Sequence, residues 1–396
     1  MSSEVRGLPL GKALAALIDY RGKTPTKTAS GVKLVTAKVI KGGRIADENH
    51  EFIAEDQYEI WMRRGLPRQW DILITTEAPL GEVAMLRSPE RVALAQRVIL
   101  LRADKAIADQ KYLFQALKSP LVQARLNARA TGTTVLGIKQ SELVQVEIPL
   151  PALSAQRRIA SILSAYDDLI ENNTRRIAIL EEMARRIYEE WFVRFRFPGH
   201  EGVRMLESEL GLVPEGWTVM RLDGVLVLQR GFDLPKQDRT DGLFPIISAT
   251  GASATHHEYR VKGPGVVTGR SGSLGAVMYV EGDFWPLNTT LWVKEFVVGS
   301  ALYAFFVLKS IGLAGFNSGA AVPTLNRNDV HGLPVLRPTL DVLARFDNLV
   351  GPVVKLKRRL ELKNANLRTT RDLLLPKLVS GELDVSAMPE PEALAA

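Results

Sequence analysis

Polar and basic side chains are concentrated in loops between predicted strands in both halves of the chain. In the first half they are Arg21, Lys23, Thr24, Lys27, Thr131, Thr133 and Thr134, and in the second half Arg230, Lys236, Arg270, Ser271, Ser273, Asn317, Asn326 and Arg327. Arginine and asparagine make paired hydrogen bonds to purine edges, whereas threonine, serine and lysine suit phosphate oxygens. These loops therefore predict contacts with DNA. For any single residue, an ordinary solvated loop is the alternative.

Motifs that would indicate catalysis are incomplete. Gly22-Lys23-Thr24 resembles the end of a phosphate-binding loop, but Leu17 occupies the position where that motif requires glycine. The glycine-rich stretch 269–275 matches neither a dinucleotide-binding motif nor a nucleophile elbow. The chain has no cysteine, and its five histidines lack metal-ligand spacing. We therefore expect a non-catalytic chain with no metal site and no cofactor of its own.

The composition is that of a globular protein. The chain has 396 residues, of which 46% are apolar and 24% charged, and its net charge is +7. Most of the positive excess lies in residues 1–150 and 339–380, which is compatible with a polyanionic partner. The first residues contain no apolar run long enough for a signal peptide, so we expect none, and no apolar run approaches the ~20 residues that span a bilayer. We expect a cytoplasmic protein without membrane contact.

Hydrophobic periodicity and turn residues predict a mixed α/β structure in each half. The predicted strands are 71–76, 82–86, 97–101 and 148–151 in the first half, and 265–268, 276–280, 290–293 and 333–336 in the second. Helical spacing predicts one helix over 109–126 and another over 300–311. The two halves thus have the same order of elements.

Short motifs repeat along the chain. The loop Thr131-Gly132-Thr133-Thr134-Val135 corresponds to Ser318-Gly319-Ala320-Ala321-Val322, and Leu80-Gly81 corresponds to Leu274-Gly275. In each half, the loop is followed by a proline-containing strand and then by a long helix. A chain of two related halves suits a ligand that also has two related halves, and duplex DNA is such a ligand.

Two long amphipathic helices are predicted over 151–192 and 339–380. In the first, apolar residues Ile159, Ile162, Tyr166 and Leu169 lead to Asn173, where the 3-4 alternation has one stutter. In the second, the alternation is unbroken but includes Lys357, Asn364 and Arg371. We expect the helices to pair as an antiparallel coiled coil with a globular domain at each end. The alternative is that each helix packs on its own domain.

The connections between these parts are marked by Pro and Gly. Residues 193–212 form the connector between the first helix and a second globular domain over 213–338. Residues 381–396 carry four acidic side chains and no basic one. We expect this tail to be disordered.

Several stretches of the repeated pattern resemble the specificity subunit of type I restriction–modification systems. They are Ile18–Pro25 with Leu34–Lys38, Gly132–Pro151 with Gln156–Ala160, Trp191–Phe195, Pro214–Trp217 and Leu375–Leu383. These stretches cover both halves of the chain. The departure is the second loop, where Ala320-Ala321 replaces the family's usual pair of hydroxyl residues.

The resemblance implies an α+β chain in which two repeated α/β target-recognition domains are separated by a long antiparallel two-helix coiled coil, with pseudo-two-fold symmetry. Residues 1–150 and 213–338 would each read one half of a bipartite site in double-stranded DNA. The helices would set the half-site spacing and dock two methyltransferase (M) subunits, which restriction (R) subunits join. S-adenosylmethionine, ATP and Mg²⁺ would bind those partners. The residues alone leave open a stand-alone bipartite DNA-binding regulator and a protein-only coiled-coil scaffold.

Overall fold

The computed structural model describes residues 6–20, 24–46, 50–319 and 322–389. The chain divides into two compact units. The first unit comprises Met1–Asn173 together with Leu362–Ala396, and the second unit comprises Thr174–Glu361. The first unit therefore combines segments from both ends of the chain.

The first unit contains three sheets and a short two-stranded pair. Its strands are β1 (Arg6–Pro9), β2 (Leu14–Asp19), β3 (Val32–Val35), β4 (Ile40–Lys41), β5 (Arg44–Ile45), β6 (Glu51–Ile53), β7 (Ile72–Thr76), β8 (Leu80–Met85), β9 (Val92–Leu94), β10 (Val98–Ala103) and β11 (Glu147–Leu150). Its helices are α1 (Tyr58–Trp61), α2 (Gln110–Lys118), α3 (Pro120–Ala128), α4 (Gln140–Leu143) and the start of α5 (Leu153–Tyr188). The sheets have the orders β2-β10-β7-β8, β6-β3-β9 and β1-β11, and β4 pairs with β5.

The central strands of the four-stranded sheet are mainly apolar because both faces of the sheet are covered. Successive side chains of a strand point to opposite faces. Ile72 and Ile74 of β7 lie in the core that includes α2 and α3, whereas Leu73 lies in the core shared with the three-stranded sheet. This burial explains why β7 and β10 are recognisable as continuous apolar runs.

The helix predicted over 109–126 is wrong in one respect, because two helices occupy this stretch. Pro120 lacks a backbone N–H and pushes the preceding residue towards extended geometry. Ser119 has that extended backbone, ends α2, and caps α3 with its side chain. The strands predicted in both halves are confirmed within three residues at each end.

The second unit repeats the plan of the first. Its strands are β12 (Met205–Ser208), β13 (Gly211–Pro214), β14 (Thr218–Arg221), β15 (Leu226–Arg230), β16 (Phe244–Ser248), β17 (Gly251–His256), β18 (Gly265–Gly269), β19 (Val277–Val280), β20 (Trp285–Pro286), β21 (Thr290–Phe296) and β22 (Pro334–Arg337). Its helices are α6 (Ala301–Ile311), α7 (Arg327–His331) and the start of α8 (Leu340–Ser380). The sheet orders are β15-β21-β18-β19, β17-β16-β20 and β14-β22, and β12 pairs with β13.

The correspondence between the units extends to individual hydrogen bonds. The Tyr112 hydroxyl in α2 donates to the Pro149 carbonyl at 2.7 Å, and the Tyr303 hydroxyl in α6 donates to the Leu336 carbonyl at 2.9 Å. In both units the three-stranded sheet contains one parallel pair, which is β3 with β9 in the first unit and β16 with β20 in the second. The predicted internal repeat is thus a repeat of structure.

The long helices pair in antiparallel fashion. Within the first unit, Asn173 Nδ2 donates to Asn364 Oδ1 at 2.9 Å, and Arg371 donates to Asp167 Oδ1 at 2.6 Å. A later residue of α5 thus contacts an earlier residue of α8, as antiparallel pairing requires. The predicted central asparagines are therefore partners. A polar pair within an apolar seam favours one register over others.

Half-buried Lys357 is the polar residue of the seam within the second unit. Its ammonium group lies 2.7 Å from Glu181 and 3.3 Å from Glu361. Burial lowers the pKa of Lys357, but the two carboxylates outweigh it and raise the pKa overall. The lysine is therefore charged at this seam position.

The stutter predicted at Asn173 is wrong. Leu169 is 46% exposed, whereas Leu163 and Ile170 are buried. The seam positions of α5 are Leu163, Tyr166, Ile170, Asn173, Ile177, Leu180 and Ala184, all buried or half-buried. Their steps alternate between three and four without interruption, as in a regular coiled coil.

The carboxy-terminal segment starts as part of a core. Val385 lies within the tail expected to be disordered, yet it is buried in the first unit's core with Leu375, Leu378 and Val379. The Leu383 N–H also donates to the Lys377 carbonyl at 3.0 Å. The expectation of disorder therefore does not hold for this part of the tail. Residues 390–396 lie outside the described residues.

Candidate nucleic-acid interface

Loops from distant parts of the first unit meet at one end of its four-stranded sheet. The segment after β2 reaches the segment before β10, where the Thr24 hydroxyl donates to Gln96 Oε1 at 3.4 Å. The turn between β7 and β8 pairs with residues 131–137 through Glu77 and Gly137. These loops surround an open cleft of about 430 Å³. Its polar lining consists of Thr76, Glu77, Gln96, Arg97, Thr131 and Lys139.

The loop 131–137 has a backbone conformation that requires glycine. The Thr131 and Gly137 backbones exchange hydrogen bonds of 2.8 and 2.9 Å. Gly132 has φ +122°, and a Cβ there would lie 2.1 Å from the Val135 carbonyl oxygen. Only glycine therefore fits this position. The loop exposes Thr133 and Thr134 to solvent.

The second unit builds the same arrangement with other side chains. The Ser318 N–H donates to the Thr324 carbonyl at 2.9 Å, which matches the bond closing the first loop. A Cβ at Gly319 would lie 2.0 Å from the Val322 carbonyl oxygen. Asn317 Oδ1 accepts hydrogen bonds of 3.0 Å from the backbone N–H groups of Gly319 and Thr324. Asn317 thus holds the loop in shape.

Arginines of the second unit are held at the same end of its four-stranded sheet. Arg230, at the end of β15, lies 3.7 Å from Asp233, which also accepts a hydrogen bond from the Asn288 amide. Arg270, just after β18, donates to the Asn288 carbonyl at 3.4 Å. Its backbone N–H donates to the Thr289 carbonyl at 2.8 Å. These contacts restrain both guanidinium groups while Arg230 stays exposed.

The comparisons with known proteins agree along most of the chain. A family model described as the type I restriction modification DNA specificity domain matches residues 66–182. The specificity subunit of the type I restriction enzyme MjaIX from Methanocaldococcus jannaschii is 28% identical over 344 residues, covering 80% of this chain and 78% of that protein. The chain is therefore similar to type I restriction–modification specificity subunits along most of its length.

More distant specificity subunits also align along both halves. The EcoprrI specificity subunit of Escherichia coli is 20% identical over 348 residues, which cover 83% of this chain and 79% of that protein. The crystal structure of the specificity subunit from M. genitalium aligns with a TM-score of 0.63 at 17% identity, covering 94% of this chain and 96% of that chain. The fold of this chain is therefore the fold of that specificity subunit.

The remaining predicted site residues have varied surroundings in the structure. Arg21 and Lys23 lie outside the described residues. Lys27 lies 2.8 Å from Glu51 in an ion pair. Asn326 caps α7 with its side chain, and Arg327 donates to the Leu228 carbonyl at 3.4 Å. Lys236 and Ser273 are exposed, and Ser271 pairs through its backbone with Thr324.

The sequence reasoning missed five polar residues of the first cleft, which are Thr76, Glu77, Gln96, Arg97 and Lys139. Arg97 lies 3.2 Å from the Glu77 carboxylate, and both side chains are nearly half exposed. Glu77 follows β7 and Arg97 precedes β10, so they occupy neighbouring strand ends. The feature of the sequence that could have identified them is their position next to a strand end, because the ends of neighbouring strands lie together at one edge of a sheet.

A wider basic surface adjoins the first cleft. A second depression of about 770 Å³ shares Thr131 and Lys139 with it and adds Arg125 and Arg129. Arg129 pairs with Glu142 at 2.8 Å, and Arg125 donates to the Glu147 carbonyl at 2.8 Å. Arg125, Arg129 and Lys139 thus border the loop 131–137 on this side, together with Glu142 and Glu147.

His331 binds the backbone of β15 in the second unit. Its Nε2 accepts a hydrogen bond of 2.9 Å from the Leu228 N–H. Burial lowers the pKa of His331, with the charge of Arg327 acting in the same direction. The ring is therefore neutral at pH 7, as its acceptor role requires.

Within the described ranges, no group of histidine, aspartate and glutamate side chains is arranged to hold a metal ion. Over the same ranges, no helix combines the length and apolar character needed to cross a membrane.

Proposed function

We propose that this chain is a specificity subunit that reads a bipartite site in double-stranded DNA, with one unit for each half-site. The observation that carries the proposal is the repetition of one loop scaffold with different side chains. The closing bond Thr131–Gly137 in the first unit corresponds to Ser318–Thr324 in the second. Equal scaffolds with unequal polar groups suit two half-sites of different sequence.

The polar groups of the first cleft and of the corresponding loops in the second unit suit base edges. Arginine reads guanine through two parallel hydrogen bonds, and glutamine reads adenine in a similar way. Arg97 and Gln96 border the first cleft, and Glu77 restrains Arg97 at 3.2 Å. Arg230 is restrained in the same manner by Asp233. Lys139 and the exposed Thr133 suit phosphate oxygens, which fix position without reading sequence.

We further propose that the long helices dock two copies of one methyltransferase subunit. Leu169 in the first unit and Leu356 in the second are 46% and 39% exposed. They are separated by 187 residues, as are the starts of α5 and α8. Each unit therefore displays a leucine at the same place in the repeat, and exposed apolar side chains on helices suit a protein partner.

The methylation and cleavage of DNA would be carried out by the partner subunits. In this proposal the methyltransferase subunits bind S-adenosylmethionine, and restriction subunits bind ATP and Mg²⁺. This chain contributes recognition and alignment of the DNA. A stand-alone regulator would instead bind its site with full specificity in the absence of partners, and the binding assay below separates the two.

The proposed DNA recognition is tested by mapping methylated bases in host DNA. Single-molecule sequencing of host DNA should reveal one bipartite methylated motif that disappears when the gene is deleted. Exchanging residues 213–338 for the equivalent part of a relative should change one half of the motif and leave the other. Purified chain alone should bind the site less specifically than the complex with methyltransferase. A motif that survives deletion would refute the proposal.

The test of docking is stoichiometry. Leu169→Asp should reduce the number of bound methyltransferase subunits from two to one in native mass spectrometry, and Leu356→Asp should do the same. The double variant should bind none. Ile60→Asp is the matched control, since Ile60 is 66% exposed on α1. Two subunits on the double variant would refute this docking surface.

A further inference from the structure

A nearly buried ionic cluster joins the first recognition domain to the helix pair. Asp167 of α5 accepts hydrogen bonds from Gln115 of α2 at 2.7 Å and from Arg371 of α8 at 2.6 Å. Lys118 of α2 lies 3.5 Å from the same carboxylate. The side chains of Asp167, Lys118 and Arg371 are only 10–14% exposed. One carboxylate thus serves partners from both sides of the contact.

The charges of the cluster influence one another, although Arg371 also pairs with the more exposed Asp372 at 2.8 Å. Burial lowers the pKa of Lys118, while Asp167 opposes that effect. Burial alone would raise the pKa of Asp167, but Lys118, Gln115 and Arg371 together lower it overall. Removing one member of such a buried set leaves an uncompensated charge in a region of low dielectric, which is far costlier than breaking an exposed pair.

In the second unit, the corresponding contact between the globular domain and the helix pair is made by different residue types. The offset of 187 residues relates α5 to α8, and the capping residues Asp109 and Ser300 relate α2 to α6. The corresponding residues are Phe306 for Gln115, Val354 for Asp167 and Ala184 for Arg371. Three polar residues of the first unit are therefore apolar in the second. Lys118 corresponds to Lys309, which is exposed and lies over the Phe305 ring instead of in a buried cluster.

Aromatic packing replaces the ionic cluster in the second unit. The Phe306 ring lies 5.3 Å from that of Tyr188 and 5.7 Å from that of Phe346. All three side chains belong to one buried core, together with Ala184. Such ring pairs add to the free energy gained by apolar burial.

A mixed pairing would satisfy neither surface. A glutamine and a lysine placed against Val354 and Ala184 would lose the carboxylate that binds them. A phenylalanine placed against Asp167 and Arg371 would desolvate both charges without giving them a hydrogen bond. Each combination carries a penalty that the native combination avoids.

We infer that the two helix surfaces are docking sites of different specificity, so that each recognition domain fits only its own helix segment. The surface with Asp167 and Arg371 accepts a domain that presents an amide and an ammonium group. The surface with Ala184 and Val354 accepts a domain that presents an aromatic ring. The two halves share one fold but differ in the contacts that hold each domain to its helix segment. The inference does not depend on DNA binding.

The experiment is a double-mutant cycle in the full-length chain, followed by hydrogen exchange of α2. The domain side is changed by Gln115→Phe with Lys118→Met, and the helix side by Asp167→Val with Arg371→Ala. Each side changed alone should lower the protection of α2 by at least about a hundredfold, as for a broken buried ion pair. Both sides changed together should restore it to within about tenfold. Protection of α6 serves as the internal reference.

Two outcomes decide the matter. Losses that simply add when both sides are changed would overturn the inference, because matched surfaces must compensate each other. If a single-sided variant fails to fold, the second unit provides the reverse cycle. There, Val354→Asp with Ala184→Arg should expose α6, and adding Phe306→Gln should recover its protection while α2 stays unchanged. Full protection of α6 in the variant changed only on the helix side, or no recovery with Phe306→Gln, would equally overturn the inference.

Discussion

The buried pair Asn173–Asn364 allows a prediction in which the sign of the effect depends on how many partners are changed. The two side chains are 4% and 2% exposed and share a hydrogen bond of 2.9 Å. Asn364 also donates to the Ile170 carbonyl at 3.3 Å. Replacing Asn173 alone therefore deprives a buried acceptor of the donor it has in the native structure.

The magnitudes follow from burial. Asn173→Ala should cost about 1–3 kcal/mol, the usual penalty for a buried polar group that loses its partner. In a unit of about 200 residues, each kcal/mol shifts the unfolding midpoint by about 2–4 °C, so a fall of roughly 2–12 °C is expected. Changing both residues to leucine removes both polar groups and buries two side chains worth about 1.5–3 kcal/mol each. The double variant should unfold at a higher temperature than the native chain.

The assay is differential scanning calorimetry of the full-length chain. Asn172→Ala is the matched control, because Asn172 is the exposed neighbour on the same helix and should change stability by less than about 0.5 kcal/mol. The reasoning fails if Asn173→Ala behaves like this control. It fails equally if the double leucine variant is less stable than the single alanine variant. In the double variant, loss of a unique register, seen as extra cross-links between α5 and α8, is expected.

Three further predictions concern pH, base reading and helix length. The pKa of Asp167 is lowered from 3.8 in the folded chain, so its stabilisation is present above pH 3.8 and is lost as the pH falls through the folded pKa. At pH values below about 4, the melting temperature of the first unit should therefore decrease in the native chain, and it should decrease less in Asp167→Asn. Arg97→Ala should relax one base position in one half of the methylated motif, whereas Lys139→Ala should weaken binding evenly and lower the salt dependence by about one unit of log–log slope; an unchanged motif in Arg97→Ala would remove it from the reading residues. A heptad added to α5 after Asn173 and to α8 before Asn364 lengthens both helices by about 10 Å, or roughly three base pairs of DNA, and should abolish methylation of the native motif; persistence of that motif would show that helix length does not set the spacing.

Much of the fold could be predicted because the chain marks its elements locally. The strands β7 and β10 are apolar runs between turn residues, and the long helices start directly after proline-containing strands. The repeat of short motifs predicted that the second half would follow the first. One local signal was underweighted, since Pro120 divides a stretch whose spacing otherwise fits a single helix.

The helix seam shows where periodicity alone fails. Ile162 is followed by Leu163, and Leu169 by Ile170, so two apolar stripes fit the spacing almost equally well. The partner helix decides between them, and that information is not local. The site was limited in the same way. Arg97 and Glu77 meet because β10 lies beside β7 in the sheet, an order that the spacing of residues does not contain.

The division of the chain also has a consequence for its synthesis. The first unit is completed by Leu375, Leu378 and Val379, which a ribosome adds after the whole of the second unit. At about 5–20 residues per second, the roughly 190 residues between Asn173 and Leu362 take about 10–40 s. During that interval Leu163 and Ile170 have no partner helix. The nascent first half therefore exposes these apolar side chains until α8 is made, and loss of residues 375–379 would damage the part of the protein that was made first.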